Sequence, residues 1–290
     1  MVTQKTILIT GAGGQLGKEF GVLVNKFPQY VFLLTGKEEL PVENTAALIK
    51  YFAGHHIDYC VNCAAYTAVD KAETEKDSAF LINAAAAGNL AAVCKTYNTQ
   101  LIHISTDYVF DGTGTHPYKE TDPVNPISIY GRSKLKGEEM VLQNHASAII
   151  IRTSWLYSSF GNNFVKTMLR LMKERESIAV VNDQYGSPTY AADLAGAIMV
   201  VIEKYPAFHF PFSIFNYCNE GVTTWYDFAV AIKELLPSNC TVKPIPTSQY
   251  PTPASRPRYS VLDTALIKSS FGITIPGWKE SLQRCLLQLK

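Results

Sequence analysis

The chain has 290 residues, 47% hydrophobic and 18% charged, a composition that excludes disorder and fibrous repeats and supplies material for one large or two coupled domains. Lys and Arg number 26 against 25 Asp and Glu, so there is no basic footprint for nucleic acid and no acidic tail. Neither nucleic acid nor a membrane surface is an expected partner.

The apolar run before Gly11 is too short for a signal-peptide core and no stretch of about 18 apolar residues follows, which points to a cytoplasmic protein. Residues 5–10 (KTILIT) predict a strand ending in glycine, and 17–24 a helix. A second strand follows at 30–35, a helix at 45–52, a strand-like run at 59–64, a long Ala-rich helix at 76–97 and a strand at 101–105. The helical pattern resumes from Tyr130 to about Gln143, and 148–152 is a further apolar strand. Strands that are apolar throughout and alternate with helices predict an α/β fold with a doubly wound parallel sheet, the Rossmann type.

Beyond residue 152 the texture changes. Prolines at 206, 211, 237, 244, 246, 251, 253 and 257 predict irregular connections and short elements, read as a smaller C-terminal α/β substrate domain over 153–290 beside a dinucleotide domain over 1–152. Later segments crossing back to complete the sheet would blur that boundary. The six cysteines are dispersed, and Cys60 and Cys63, although a CxxC, lack a second pair or nearby histidines, so reduced thiols are expected. The six histidines show no metal spacing.

The chemistry gathers at three places. TGAGGQLG puts Gly11, Gly14 and Gly17, with Gln15 and Leu16, between the first strand and first helix, where backbone can approach a pyrophosphate at a helix N-terminus. The second strand closes on Thr35, Gly36 and Lys37 in place of the acidic residue that holds an NAD ribose, and this hydroxyl and cation predict NADPH over NADH, with NADH still accepted. Tyr130 and Lys134 stand four apart on one helix face, downstream of Ser105, Thr106 and Asp107 at a strand end. A phenol near pKa 10 needs a neighbouring cation to act at neutral pH, and Thr106 is placed to bond a substrate oxygen.

GxxGxxG, Thr106 and YxxxK together resemble the extended short-chain dehydrogenase/reductase superfamily. Longer strings narrow the match: VNCAAYTAVDKAE (61–73), STDYVFDG (105–112), RTSWLY (152–157), GNNFVKTMLRL (161–171), NDQYGSPTYAADLA (182–195), TTWYDFA (223–229) and PTPASRPRYSVLDT (251–264) resemble the dTDP-4-dehydrorhamnose reductase family over nearly the whole chain. The resemblance implies reduction at C4 of dTDP-4-dehydro-L-rhamnose for deoxysugar and cell-surface polysaccharide supply. It implies Tyr130 as proton donor, Lys134 as the cation that lowers its pKa and binds the nicotinamide ribose, and Thr106 in a place usually held by serine. Ala64, Ala65, Tyr66 and Thr67 would lie against the cofactor. Val69 and Asp107 would lie near the sugar and Trp155 over the hexose, while Asn163, Gln184 and Arg256 would hold the nucleotide sugar, Arg256 through paired donors to the diphosphate.

Glu39, Leu40, Pro41 and Val42 depart from the family pattern, which often carries an acidic residue at the position of Pro41. A homodimer and magnesium at its contact are allowed by the resemblance, with ligands the sequence does not assign. Two other classes share these motifs: a nucleotide-sugar epimerase or dehydratase that retains NAD, and a noncatalytic NADP-binding regulatory subunit.

Overall fold

The computed structural model describes residues 4–205 and 213–289; Pro206, His209 and Pro211 lie outside the described residues. The chain runs β1 (Lys5–Thr10), α1 (Gln15–Leu23), β2 (Tyr30–Thr35), α2 (Thr45–Gly54), β3 (Tyr59–Asn62) and α3 (Val69–Ala72). Next come α4 (Lys76–Phe80), a π turn (Leu81–Ala86), α5 (Ala87–Thr96), β4 (Gln100–Thr106), α6 (Ile129–Asn144) and β5 (Ile149–Thr153). The remainder holds β6 (Leu156–Tyr157), α7 (Phe164–Glu174), β7 (Ser177–Val181), β8 (Tyr185–Gly186), β9 (Thr189–Tyr190) and α8 (Ala191–Lys204). It ends with β10 (Ile214–Asn216), β11 (Thr223–Thr224), α9 (Trp225–Leu235), β12 (Thr241–Ile245), α10 (Ala265–Phe271) and α11 (Trp278–Leu287).

Six strands form one parallel sheet in the order β10-β5-β4-β3-β1-β2. Alternate strand residues feed different cores, as a pleated sheet covered on both faces requires. Ile7, Ile9, Val61, Ile102, Ile149 and Ile151 pack against α1, α8 and α10. Leu8, Cys60, Leu101 and Ile150 pack against α2, α5 and α6. Because β1 is flanked by β2 on one side and β3 on the other, the chain winds outward from it in both directions. That reversal opens a crevice at the C-terminal ends of β1 and β3, where open α/β sheets bind ligands.

β10, from the Pro-rich half, closes the sheet beside β5. A separate core is built from α7, α9, α11 and β7 and includes Tyr157, Phe228 and Trp278, and Asn163 before α7 bonds Gln15 at the start of α1. The unit Lys76–Thr96 is long and apolar enough to cross a membrane by length and composition. In this fold its Ala79, Ala87, Leu90, Ala91 and Cys94 are buried, and α5 lies along α6. All six cysteines are free thiols.

Candidate active site

The glycine turn is shaped for a phosphate. Gly11 adopts φ +65°, and a Cβ there would sit 2.6 Å from the Ala64 nitrogen, so the turn and the strand-end loop of β3 approach as closely as only glycine permits. α1 begins at Gly14 without a side-chain cap and with no acidic residue in its first turn. Its first N–H groups and the positive end of its dipole are thus left to an anion, which fits the pyrophosphate of a dinucleotide. Gly13 and Gly14 are exposed at the mouth, whereas Leu16 and Gly17 turn inward and anchor the helix.

The catalytic candidates are brought together. Ser128 caps α6 by accepting the Gly131 N–H at 3.1 Å, and a Cβ on Gly131 would collide with the Tyr108 carbonyl, so this helix start is pressed onto the end of β4. Tyr130 therefore meets Thr106, and its ring packs edge-on against Tyr108 at 5.6 Å. Thr106 Oγ1 donates to Asp107 Oδ1 at 3.0 Å and accepts the Tyr108 N–H at 3.2 Å. Asp107 is buried and its Oδ2 has no well-formed hydrogen bond. Burial raises its carboxyl to about 6, opposed by the Ser260 and Thr106 hydroxyls.

Tyr130 departs from expectation in its titration. Burial raises the phenol to about 12, with the Thr106 hydrogen bond opposing, and Lys134 is not among the groups that lower it. The reason is geometric: Lys134 Nζ donates to the Ile104 carbonyl at 2.6 Å and lies 3.5 Å from His103 Nε2. Burial lowers the Lys134 amine to about 8 despite the Glu138 carboxylate, so this arrangement holds a protonated phenol and a readily discharged lysine. Glu138 is itself clamped by Arg152 at 2.7 and 2.9 Å and takes the Ser105 hydroxyl at 2.5 Å, an ion pair inside the fold.

The end of β2 also differs. Thr35 is buried and its hydroxyl donates to the Ile9 carbonyl at 3.2 Å, so it does not face an incoming phosphate. Lys37 is 78% exposed and lies 3.6 Å from Glu43. The place expected to be free of acid is not: Glu39 Oε2 accepts the Gly36 N–H at 2.8 Å. A three-residue reach back from the following turn puts a carboxylate where strand-position counting finds none.

Toward the second core, Trp155 adopts φ +46° and its indole lies flat on Trp225, with ring centroids 3.5 Å apart and planes 9° apart. Phe164 flanks Trp225 at 4.7 Å. A non-glycine residue at positive φ costs roughly 1–3 kcal/mol, so packing holds this indole in place. Asn163 caps α7 through the Lys166 N–H and ties Gln15 Oε1 and the Ser158 carbonyl at 2.8 Å each, while Gln184 donates to Thr247. Arg256 makes a two-armed ion pair with Asp70 at 3.0 and 2.7 Å and also reaches Thr252 and the Ala254 carbonyl. Its donors are engaged within the protein, so a diphosphate there would share them with Asp70. Val69 lies beside Asp70 at the start of α3. Ala64 and Ala65 line the crevice edge, the Tyr66 hydroxyl bonds Glu75 at 2.7 Å, and Thr67 is exposed.

Several side chains at the site escaped the sequence reading. Asn83, in the π turn, accepts the Tyr66 N–H at 2.8 Å and donates to Ser133 at 2.9 Å, fixing the cofactor-side loop against α6. Asn62, His103 and Glu138 are buried polar residues in apolar surroundings, and such an isolated polar residue in a strand or helix core was the available signal. Among the described residues no group of three or more His, Cys, Asp and Glu side chains converges as a metal site.

A doubly wound sheet with an uncapped glycine-turn helix at its switch point and a Tyr/Lys pair beside a strand-end hydroxyl defines a dinucleotide-dependent reductase fold of the short-chain dehydrogenase type. Residues 5–290 match the family described as RmlD substrate binding domain, and the chain belongs to that family. A dTDP-4-dehydrorhamnose reductase of Aggregatibacter actinomycetemcomitans is 40% identical over 284 residues, 96% of this chain and 97% of that protein. The spore coat polysaccharide biosynthesis protein SpsK of Bacillus subtilis is 40% identical over 280 residues, 97% of this chain and 96% of its own. The crystal structure of a dTDP-4-dehydrorhamnose reductase from Bacillus anthracis in complex with NADP superposes with TM-score 0.94 at 38% identity, covering 99% of this chain and all, 100%, of that one.

Proposed function

We propose that this protein catalyses the NADPH-dependent reduction of the C4 ketone of dTDP-4-dehydro-L-rhamnose to dTDP-L-rhamnose, for deoxysugar and polysaccharide synthesis in the cytoplasm. The observation that carries the reading is the convergence of Tyr130, Thr106 and Lys134 beside an uncapped helix N-terminus at the switch point. A nicotinamide held at this turn would supply the hydride that C4 receives. Tyr130, kept protonated by burial, donates its phenolic proton to the C4 oxygen as charge develops there. Thr106 Oγ1 holds that phenol and turns from Asp107 toward the arriving oxygen, while Lys134 binds the nicotinamide ribose. Gly11, Gly14, Gln15, Leu16 and Gly17 line the pyrophosphate turn.

The segment over 1–152 chiefly serves the cofactor and 153–290 the nucleotide sugar, with β10 returning to the sheet. Val69, Asp107 and Trp155 bound the hexose, and Asn163, Gln184 and Arg256 the nucleotide. NADH is a second, poorer donor. The test follows NADPH oxidation with dTDP-4-dehydro-L-rhamnose, its D-xylo epimer and a UDP analogue. Turnover of the first, lost at least about a hundredfold in Tyr130→Phe with NADPH binding kept, is expected. A protein that purifies with NAD and interconverts epimers without net oxidation of NADPH is an epimerase instead.

A further inference from the structure

Beneath the cleft floor three adjacent strands each contribute a buried polar side chain in register: Thr10 of β1, Asn62 of β3 and His103 of β4. The Asn62 amide has only one sensible orientation. Its Oδ1 accepts from the Thr10 hydroxyl at 2.7 Å and from the Ala64 N–H at 3.2 Å, and a backbone N–H can only donate. Nδ2 is therefore the atom that faces His103 Nδ1 at 3.0 Å, and Nδ1 must accept. Burial and the Lys134 charge hold His103 well below its usual pKa, so the neutral ring carries its one proton on Nε2. Nε2 points at Lys134 Nζ, 3.5 Å away.

Lys134 thus meets an acceptor at the Ile104 carbonyl and a donor at His103. We propose that His103, locked by Asn62 as the Nε2–H tautomer, is a positioning residue for Lys134, denying the ammonium a second acceptor in the sheet, turning its free protons toward the cleft and easing its discharge. The inference rests on the reading of Lys134 given above. The groups that face Lys134 are Glu138 from its own helix, already clamped by Arg152 and Ser105, the Cys63 thiol at the end of β3, kept protonated by burial, Tyr130 one turn back, and His103 from β4. Among the described residues, His103 is the one that presents a ring N–H to the amine from the sheet side, while burial works against the Glu138 carboxylate.

The consequence is an alkaline limb. The ammonium is present below about 8 and lost above it, so NADPH affinity should fall as pH rises through that value. Nitrogen NMR of the wild-type protein at neutral pH reads the tautomer directly: Nε2 protonated and Nδ1 bare is expected, and a protonated Nδ1 overturns the proposal whether or not any variant folds. Asn62→Asp is nearly isosteric, keeps an oxygen for Thr10 and Ala64, and puts an acceptor against Nδ1. It should exchange the two nitrogen signals and raise the alkaline midpoint of NADPH binding by one pH unit or more. An exchanged tautomer with an unmoved midpoint overturns the proposal, and so does a raised midpoint with the tautomer unchanged, which would be the new charge acting alone. Lys134→Met separates the two readings. If it binds NADPH with the wild-type pH profile, the assignment of Lys134 to the ribose fails, while the His103 tautomer is still decided by its own spectrum.

Discussion

Glu39→Gln should move cofactor preference further toward NADPH. Glu39 Oε2 takes the Gly36 N–H at 2.8 Å, at the strand end where the adenine ribose of a dinucleotide lies in this fold class. A 2′-phosphate arriving there carries a charge of about −1.5 to −2. At roughly 6 Å in water-like surroundings one pair of unit charges repels by about 0.7 kcal/mol. Both groups are exposed to solvent, and the Debye length at physiological salt is about 8 Å, which roughly halves the repulsion over that distance, so the net penalty is about 0.6 kcal/mol. The amide keeps an oxygen for the Gly36 N–H and removes only the charge, so kcat/KM for NADPH should rise about threefold and that for NADH should change little. Steady-state kinetics with both cofactors at about 0.05 and 0.5 M salt measures it, because screening should shrink the gain at high salt. Equal gains with both cofactors, or a gain insensitive to salt, would refute the placement of the 2′-phosphate beside Glu39 and send it elsewhere on the surface.

Asp107→Asn should stabilise the protein above pH 6 and have little effect near pH 3. The carboxyl is raised from an ordinary 3.8 to about 6, so its burial disfavours the ionised form, with a penalty that begins above 3.8 and is complete above about 6, worth roughly 3 kcal/mol. Thermal melts across that range read the difference. Arg152→Met leaves the Glu138 carboxylate buried without its partner and should cost about 3–5 kcal/mol in urea unfolding, most of it recovered when Glu138→Leu is added. Arg256→Ala should raise KM for the nucleotide sugar more than for NADPH. Asp70→Asn, which frees the guanidinium, should lower it, and if both changes weaken the two ligands alike the ion pair is purely structural.

The sheet was legible because its strands are apolar on both faces, as in Ile7–Leu8–Ile9 and Ile149–Ile150–Ile151, and the helices between them end within two or three residues of the predicted limits. The glycine turn and the Tyr130/Lys134 face were legible because each depends on local spacing. β10 was not: three residues, Ile214–Asn216, carry too little periodicity to announce a strand, and only pairing with β5 defines it. Glu39 and the Thr10–Asn62–His103 row were missed for a different reason. Their roles depend on where a side chain ends, across neighbouring strands or back along a turn, and sequence spacing gives no account of that. Arg256 was read for its chemistry alone, and its engagement with Asp70, 186 positions away, is a product of the tertiary fold.

The Trp155/Trp225 stack has a spectroscopic consequence. Two indoles stacked face to face 3.5 Å apart in nearly parallel planes couple their electronic transitions, so the folded protein should show a split, sign-changing circular dichroism band of the kind one isolated indole does not produce. The chain has a third tryptophan, Trp278, whose contacts are with Phe228 and the Lys279 ammonium, so the couplet reports the pair alone. Trp155 is the member set in the strained backbone, and any ligand that wedges beside it must either preserve the stack or prise it apart. Following the couplet during titration would therefore register occupancy of the sugar side proposed for Trp155 without a label or any turnover.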